Sequence, residues 1–231
     1  MTQLLYPVYP NSWPFVMESR VVESVSPEEV DGYWADGWRH FGSDFFRSSL
    51  MAEEVGIKRQ ISLRLDLSEF KVSKSQRRTL RKNEDLTFEF APARPGDLEE
   101  ELFELHKDRF ERNVPHSLNE FLGDRPDGKP CACEQLSVRS KGRLVAVSFL
   151  ALGKSACSSV YAVFDPEESR RRLGILTMLL EIEHARKRGL EHYYSGYATV
   201  EESCYDYKKQ FDSLSYFDWS GEWRSIDELV L

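Results

Sequence analysis

The chain has 231 residues, of which 41% are hydrophobic and 13% aromatic, enough to bury one large core or two small ones. Its formal net charge of −8 argues against a general nucleic-acid-binding protein, because phosphate contacts usually make such proteins basic. No window approaches the length of an apolar membrane-spanning helix, and the first residues lack the basic and apolar regions of a signal peptide. We therefore expect a cytoplasmic protein without a membrane partner.

The four cysteines do not have the spacing of a zinc site, whose ligands come as paired Cys or as Cys and His residues. In a cytosolic chain of this size, thiols stay reduced by default. We expect free thiols and no metal site at Cys131, Cys133, Cys157 and Cys204.

The amino-terminal part predicts an extended segment followed by a short helix. Residues 5–22 contain prolines and aromatic residues, which disfavour a helix. Ser26 and Glu29 then have the spacing of a capping box around a proline, so a helix is predicted at 27–36. The aromatic and basic run at 37–47 indicates, from the residues alone, core aromatics and a turn.

A basic segment follows the next predicted strand, in which apolar residues alternate over 61–67. Residues 71–82 contain six basic residues and no acidic one. Ser73 or Ser75 can cap a helix there, and one side of this helix would present Lys74, Arg77, Arg78 and Arg81. Such a row suits a phosphate backbone, but a solvated basic helix without a partner has the same pattern.

The middle of the chain predicts a strand at 86–90, two helices and an antiparallel meander. Asp97 can cap the first helix, whose regularly spaced residues are Leu98, Leu102, Leu105, His106, Arg109 and Phe110. We expect His106 to be packed rather than to act as a base. A short helix is predicted near 118–122, and three strands joined by tight turns follow at 134–139, 143–152 and 155–164.

The stretch that begins at residue 158 predicts a βαβ crossover. Asp165-Pro166 ends a strand, apolar residues at helical spacing cover 175–185, Gly189 ends that helix, and a second strand covers 191–197. Strands joined in this way are parallel, and the helix begins at their carboxyl ends, where ligand crevices usually lie. The predicted fold class is therefore α+β, a meander running into a βαβ crossover, and the aromatic-rich end of the chain predicts a final strand.

The loop before the crossover helix combines three cations with a glycine, in Arg170, Arg171, Arg172 and Gly174. Cations beside the unpaired N–H groups of a helix start bind phosphates or carbonyl oxygens. A solvated run of arginines on the surface is the other interpretation.

A set of dipeptides and tripeptides in this stretch matches a known family. They are Val160-Tyr161, Asp165-Pro166, Leu173-Gly174, Leu180-Glu181-Ile182, Gly189-Leu190, Tyr193-Tyr194, Gly196-Tyr197 and Tyr207-Lys208. The stretch resembles the carboxyl-terminal half of arginyl- and leucyl-tRNA–protein transferases, enzymes with a GNAT-like acyltransferase fold. The resemblance implies that arginine or leucine moves from aminoacyl-tRNA to the N-terminal α-amino group of an acceptor protein that begins with Asp or Glu. It also implies an N-degron role, in which the product is marked for degradation.

The amino-terminal half matches the family more loosely. Residues 37–47 are similar to its glycine-aromatic-basic signature, and 73–78 to its Ser-x-Ser-Gln-(Arg/Lys)-Arg segment. Relatives carry cysteines near the amino terminus that in some of them hold zinc or an iron–sulfur cluster, but this chain has no cysteine before Cys131. We therefore expect no metal centre and no redox role. The family's Met-x-Tyr-Lys appears here as Tyr205-Asp206-Tyr207-Lys208.

The resemblance implies a site with two sets of residues. The catalytic set orients the ester and handles the proton of the incoming amine, and it consists of Tyr197, Asp206, Tyr207 and Lys208. The substrate-binding set consists of Trp38, Arg39, Arg47, Lys74, Arg77, Arg78, Arg81, Arg171, Arg172, Leu173 and Gly174. The implied domains are an amino-terminal transferase domain at 1–88 and a GNAT-like catalytic domain at 89–231, in a monomer that needs no cofactor.

Two other functions stay open. Residues 171–176 partly match the pyrophosphate loop of acetyl-coenzyme A N-acetyltransferases, Arg-x-x-Gly-x-Gly/Ala, although Leu176 replaces the second small residue. A non-catalytic relative that binds RNA or peptide would have the same fold, since a fold does not determine a function. No Ser or Cys nucleophile motif stands out, and aminolysis of an ester needs none, because the neutral amine is itself the nucleophile.

Overall fold

The structure is a computed structural model, and it describes residues 13–53, 56–107 and 114–229 of the chain. In chain order, the described residues form β1 (Met17–Val21), α1 (Pro27–Ala35), β2 (Arg39–Phe41), β3 (Asp44–Ser48), β4 (Leu50–Glu53), β5 (Gly56–Asp66), α2 (Lys74–Lys82), β6 (Thr87–Pro92), α3 (Asp97–Lys107), α4 (Asn119–Leu122), β7 (Cys133–Ser140), β8 (Arg143–Leu152), β9 (Ala156–Phe164), α5 (Leu173–Lys187), β10 (His192–Thr199), β11 (Leu214–Phe217) and β12 (Trp223–Ser225). Short 3-10 helices cover Pro166–Arg171, Asp206–Gln210 and Ile226–Glu228.

One large sheet contains most of these strands. Within the described residues its order is β12-β11-β5-β10-β9-β8-β7-β6, with β4 paired to β5. Strands β6 to β9 are antiparallel neighbours, and β10 returns parallel to β9 after helix α5. The predicted α+β fold, a meander running into a βαβ crossover, is therefore confirmed. The amino-terminal strands form a second sheet in the order β1-β3-β2.

Local sequence determines where α1 and α2 begin. Ser26 Oγ accepts a hydrogen bond from the Glu29 N–H at 3.3 Å, and the Glu29 carboxylate accepts one from the Ser26 N–H at 2.9 Å. Ser73 and Gln76 make the same reciprocal pair at the start of α2. Each pair satisfies N–H groups that the first turn of a helix leaves unpaired. The predicted capping box of α1 is confirmed, and Ser73 rather than Ser75 caps α2.

Strand β5 joins the amino-terminal part of the chain to the main sheet. It pairs with β10 on one side and β11 on the other. Its apolar residues are buried in one cluster with apolar residues of α5, as the alternating pattern predicts, and they are Ile61, Leu63 and Leu65. The predicted boundary between 1–88 and 89–231 falls within β6, and this division stays a prediction.

Helix α3 differs from its prediction in its first residue and in the face that it buries. Asp97 is the first residue of the helix rather than the residue before it. Leu98 and Leu105 are each 52% exposed, because the helix packs with the face that carries Leu102 and Phe103. Helical spacing alone therefore assigned two solvent-facing leucines to the apolar face.

His106 is packed inside the protein, as expected. It is fully buried, and its Nδ1 lies 3.0 Å from the Phe164 carbonyl oxygen. The predicted helix residues Arg109 and Phe110 lie outside the described residues, as do the first residues of the predicted lead-in at 5–22.

The carboxyl-terminal end forms two strands rather than the one predicted. Strands β11 and β12 extend the main sheet beyond β5. Two indole N–H groups hold this end in place, because Trp219 donates to Gln60 O at 2.6 Å and Trp223 donates to Ala35 O at 2.8 Å. The four cysteines are free thiols. None of the described helices combines the length and the apolar character that crossing a bilayer requires.

Strands β9 and β10 separate part of the way along their length. In the described residues they pair only over 156–158 and 192–194. Further along, β10 shifts register against β5 between Tyr194 and Gly196, and β9 shifts against β8 near Val160. The two parallel strands therefore leave an opening towards their carboxyl ends, where crevices of such sheets usually lie.

Candidate active site

Arg39 lies in the opening between β9 and β10. Its Nη2 donates to the carbonyl oxygen of Ser159 on β9 at 2.9 Å, and the carbonyl oxygen of Tyr194 on β10 is 3.5 Å away. The residue is 6% exposed, and burial lowers the pKa of its guanidinium to about 10, so it stays charged at neutral pH. Its other terminal nitrogen, Nη1, is buried without a hydrogen-bond partner among the described residues.

A second cation, Lys208, lies close to Arg39 beside Gly196. A Cβ on this residue would lie 3.1 Å from Lys208 Nζ and 3.5 Å from Arg39 Nη2, and its φ is +95°. Glycine is required here both for the backbone conformation and for the close approach of the two nitrogens. Lys208 Nζ donates to Tyr197 O at 3.3 Å. We call Arg39 and Lys208 the buried cation pair.

Burial also shifts the titration of the second cation. It lowers the pKa of Lys208 to about 8, and the positive charge of Arg39 acts in the same direction. The ammonium is therefore still mostly charged at neutral pH but close to its titration range. An ionisable group tuned in this way inside a strand opening is typical of functional sites.

Tyr197 lies within β10, which continues to Thr199. Its hydroxyl donates to Gly37 O at 2.8 Å, and Phe46 O is 3.3 Å away. Burial raises the pKa of this hydroxyl above its ordinary value. The phenol therefore ties β10 to the amino-terminal strands, and the predicted role of Tyr197 with the ester stays a prediction.

A buried carboxyl lies on the α5 side of the sheet. Glu181 is 1% exposed, and its Oε2 accepts a hydrogen bond from the Tyr193 hydroxyl at 2.6 Å. Burial raises the pKa of Glu181 to about 7, against the opposing effect of hydroxyl groups that include Ser148 and Ser159. The sequence analysis did not predict a buried carboxyl with a raised pKa at this position. The signal was a glutamate in the apolar run of the crossover helix, where a charged side chain is costly to bury.

The 3-10 helix at Asp206–Gln210 carries the other predicted catalytic residues. Asp206 forms an ion pair with Lys209 at 2.8 Å and accepts a hydrogen bond from the Ser203 N–H at 3.2 Å. Burial opposes ionisation, but the hydrogen bonds and the Lys209 charge prevail and lower the pKa of Asp206. Tyr207 is half-buried and packs against the core cluster beneath α5. Their roles with the amine and the ester stay predictions.

Trp38, which is next to Arg39 in the chain, stacks with arginine side chains that include Arg47. The guanidinium groups of Arg20 and Arg47 lie 4.1 and 5.0 Å from the Trp38 ring centroid. Arg47 also pairs with Glu18 at 3.1 Å and donates to Asp36 O at 3.1 Å. The predicted substrate contacts of Trp38 and Arg47 stay predictions, and these contacts already give both residues a local structural role.

The helix α2 and the loop before α5 form one exposed basic surface. Lys82 Nζ donates to Arg170 O at 2.6 Å, and Asn83 Nδ2 donates to Arg171 O at 3.0 Å. These bonds join two segments that the sequence presented as alternatives for phosphate contact. We define the basic surface by its exposed cations, which are Lys74, Arg77, Arg78, Arg81, Lys82, Arg170 and Arg172.

Arg171 is not part of this surface. It makes two hydrogen bonds with Asp85 at 2.8 and 2.9 Å and a third with Glu168 at 2.8 Å. These carboxylates raise the pKa of Arg171, and the arginine holds the loop in place. Arg172 adopts a φ of +59° before the helix, and Leu173 behind it is buried in the core.

Gly174, in the first turn of α5, lies beside an aromatic ring. A Cβ on this glycine would lie 3.4 Å from the ring of Phe164, which is ordinary van der Waals contact. The structure thus divides the predicted site residues into a buried group around Gly196 and an exposed group around α2. The described residues contain no cluster of three or more His, Cys, Asp and Glu side chains able to hold a metal ion.

Comparison with known proteins gives a match to one family and to several curated proteins. Residues 100–218 match the family described as "Arginine-tRNA-protein transferase, C terminus". The chain is similar to the "Aspartate/glutamate leucyltransferase" of Acinetobacter baumannii, with 29% identity over 203 residues that cover 83% of this chain and 70% of the relative. The protein of the same name from Marinobacter nauticus is 29% identical over 193 residues, covering 82% of this chain and 79% of the relative.

Solved structures match this chain at lower sequence identity. A GCN5-related glucosamine N-acetyltransferase region of a fungal multi-domain β-N-acetylglucosaminidase gives a TM-score of 0.47 at 17% identity, covering 91% of this chain and 24% of that one. The structure of L-PGS from Bacillus licheniformis gives a TM-score of 0.42 at 15% identity, covering 62% of this chain and 48% of that one.

Proposed function

Because the chain belongs to the arginine-tRNA–protein transferase family, and is thus an acyltransferase that uses aminoacyl-tRNA, we propose that it transfers leucine to proteins that begin with Asp or Glu. The observation that supports this most is the similarity to proteins named aspartate/glutamate leucyltransferase, which extends over 83% of the chain. We favour leucine over arginine as the transferred amino acid, because the matched relatives are named for leucine. The reaction takes place in the cytoplasm, where charged tRNA is available, and the added leucine marks the acceptor for an N-degron route.

The basic surface on α2 and the loop before α5 is the proposed contact for tRNA. Its cations are exposed, and it combines helix residues with loop residues on one side of the molecule. A chain with a net charge of −8 needs such a local concentration of cations to bind a polyanion. Phosphate contacts on this surface would position the tRNA without reading its sequence.

The opening between β9 and β10 is the proposed place of aminolysis. The amine nitrogen attacks the carbonyl carbon of the aminoacyl ester, the bond from that carbon to the ribose oxygen breaks, and the ribose oxygen takes up the proton that the amine loses. The reaction forms an amide without a covalent enzyme intermediate, so no protein nucleophile is needed. The buried cation pair supplies positive charge beside the reacting groups, and Tyr207 and Asp206 remain the groups proposed to orient the ester and the amine.

A transfer assay with radiolabelled amino acids tests this function. Purified protein is incubated with leucyl-tRNA or arginyl-tRNA and with peptides that begin with Asp, Glu or Ala. We expect leucine to be attached to the Asp and Glu peptides only. Transfer of arginine instead would contradict the assignment of the amino acid. Acetyl transfer from acetyl-coenzyme A without tRNA, or tRNA binding without any transfer, would favour an N-acetyltransferase or a non-catalytic relative.

A further inference from the structure

We propose that Arg39 and Lys208 bind the side-chain carboxylate of the acceptor's first residue and so make the enzyme specific for acidic N-termini. This inference rests on the proposed function, because it assumes that the acceptor begins with Asp or Glu. It assigns to the buried cation pair a specificity role that is separate from the chemistry of the ester.

The first argument is that this pair lacks a counter-charge. Neither Arg39 nor Lys208 forms an ion pair with a carboxylate in the part of the chain that the structure describes. The chain has more carboxylates than cations, with 39 Asp and Glu against 31 Lys and Arg. A shortage of carboxylates therefore does not explain why the buried cation pair has no such partner among the described residues. Burying a charge without a partner is costly, and buried charges are normally paired.

Arg59 shows how a partly buried cation is usually neutralised, by an ion pair with a carboxylate. Arg59 has a side chain that is 17% exposed, and it pairs with Glu201 at 2.6 Å. Arg39 is less exposed than Arg59, yet its Nη1 has no partner among the described residues. Arg39 therefore has a buried donor, Nη1, that is available to a ligand in the strand opening.

Glu181 does not neutralise the buried cation pair. Glu181 acts electrostatically on Lys208, but its Oε2 accepts the hydrogen bond from Tyr193, and burial raises its pKa to about 7, so this single carboxyl is only partly ionised at neutral pH. It therefore cannot offset two positive charges at neutral pH. An external carboxylate can, because it accepts charge-assisted hydrogen bonds from both Arg and Lys.

The chemistry of the reactants favours the acceptor side chain over the other candidate ligands. The ester carbonyl is neutral before attack and needs hydrogen-bond donors rather than two full charges. The tRNA phosphates have an exposed basic surface available elsewhere. The side-chain carboxylate of Asp or Glu is joined to the reacting α-amine through the α-carbon and one or two methylene groups, so its capture at Gly196 would hold the amine in the strand opening.

Paired peptides separate charge recognition from chemistry. We would measure kcat/KM for leucine transfer to peptides that differ only in Asp or Asn at the first position, using the parent protein, Arg39→Gln and Lys208→Gln. Asn has the shape of Asp without its charge. The parent should prefer the Asp peptide by about 100-fold or more, and each variant should lose about 10-fold or more of that preference. The ratio between the two peptides is the readout, because any effect of a variant on the ester step is common to both peptides and cancels.

Arg59→Gln is the matched control, because it removes a partly buried cation that already has a carboxylate partner. Its preference for Asp over Asn should equal that of the parent. Lys208 is more exposed than Arg39, so Lys208→Gln should fold and can carry the test if Arg39→Gln does not fold.

Three results would overturn the proposal, and they differ in what they imply. Equal losses with the Asp and Asn peptides would mean that the cations act on the ester common to both reactions, and the proposed function would stand. Equal transfer of leucine to both peptides by the parent would show that the enzyme does not distinguish an acidic first residue from its neutral analogue, so there would be no specificity for the pair to explain. A parent that transfers no amino acid from tRNA would contradict the proposed function as well.

Discussion

The basic surface and the buried cation pair contain the same kinds of side chain in opposite surroundings. On the surface, Arg78 and Arg81 are exposed to water, so each charge is screened and costs little to keep. In the strand opening, Arg39 is 6% exposed, and burial changes the pKa of both members of the pair. The surface can attract a large polyanion at a distance, whereas the buried pair can distinguish one small charged group from its neutral analogue.

This difference makes separate experimental predictions for the two regions. Changes around the buried pair should alter stability, pH dependence and acceptor choice. Changes on the basic surface should alter tRNA affinity and its dependence on salt. A single substitution that altered all of these together would argue that the two regions are one site.

The largest effect is expected for Glu181→Gln at alkaline pH. The folded pKa of Glu181, about 7, lies above the unfolded value near 4.5, so the folded protein holds the proton more tightly and its stability falls as pH rises between these values. Gln cannot ionise and escapes this penalty. At roughly 1.4 kcal/mol per pKa unit, the variant should gain up to about 3 kcal/mol over the parent between pH 4 and pH 8.

Urea unfolding of both proteins at the two pH values measures this gain. A difference in the free energy of unfolding that is the same at both pH values would mean that the pKa of Glu181 is not raised in the folded protein. Glu183→Gln is the control, because Glu183 lies on the same helix with an exposed side chain paired to Lys187.

Gly196→Ala should be the next largest change. The added methyl group would meet Lys208 Nζ at 3.1 Å, and the φ of +95° strains any residue with a side chain. We expect a loss of about 2 kcal/mol in the free energy of unfolding, together with displacement of the buried cation pair. Gly142→Ala is a suitable comparison, because its φ is +85° but nothing lies within 4 Å of the new Cβ. If both variants lose the same stability and keep the same acceptor preference, close approach to the cations plays no part.

A smaller effect is expected on the pH dependence of acceptor choice. Lys208 loses its charge as pH rises through its pKa of about 8, so the preference for Asp over Asn should fall several-fold between pH 7 and pH 9. The α-amine of the peptide titrates in the same range, but it does so alike in both peptides and cancels from the ratio. The groups that act on Lys208 are Arg39, Cys204 and Glu181.

The ratio of kcat/KM values measured across this range tests the effect. Cys204→Ser keeps the dependence if the lysine is responsible. A ratio that stays constant from pH 7 to pH 9 would show that the Lys208 charge does not read the acceptor.

The smallest effect is expected on the basic surface. Arg78→Ala removes one exposed cation, so the slope of log affinity for tRNA against log salt should decrease by about one unit or less, equally for different tRNAs. Arg94→Ala provides the control, because Arg94 is also exposed but already pairs with Asp127. An unchanged slope in Arg78→Ala would place the tRNA contact elsewhere, and the preference for Asp peptides should be the same in both variants.

Local sequence patterns predicted most of the fold. Ser26 and Ser73 mark helix starts because their side chains satisfy N–H groups within the same turn. The alternation at 61–67 and the spacing in the crossover helix reflect burial of one face, and both elements are present. The prediction was wrong at Leu98 and Leu105 because helical spacing does not show which part of an apolar stripe has a neighbour.

The sequence by itself also determined the excess of carboxylates, the presence of two basic segments and the family to which the chain is similar. Only the tertiary structure decided that Arg171 is bound by Asp85 and Glu168, that α2 lies against the loop before α5, and that Arg39 meets Lys208 across Gly196. The reason is physical. Capping and alternation act between residues a few positions apart, whereas the state of a charge depends on burial and on partners that the fold brings from distant parts of the chain.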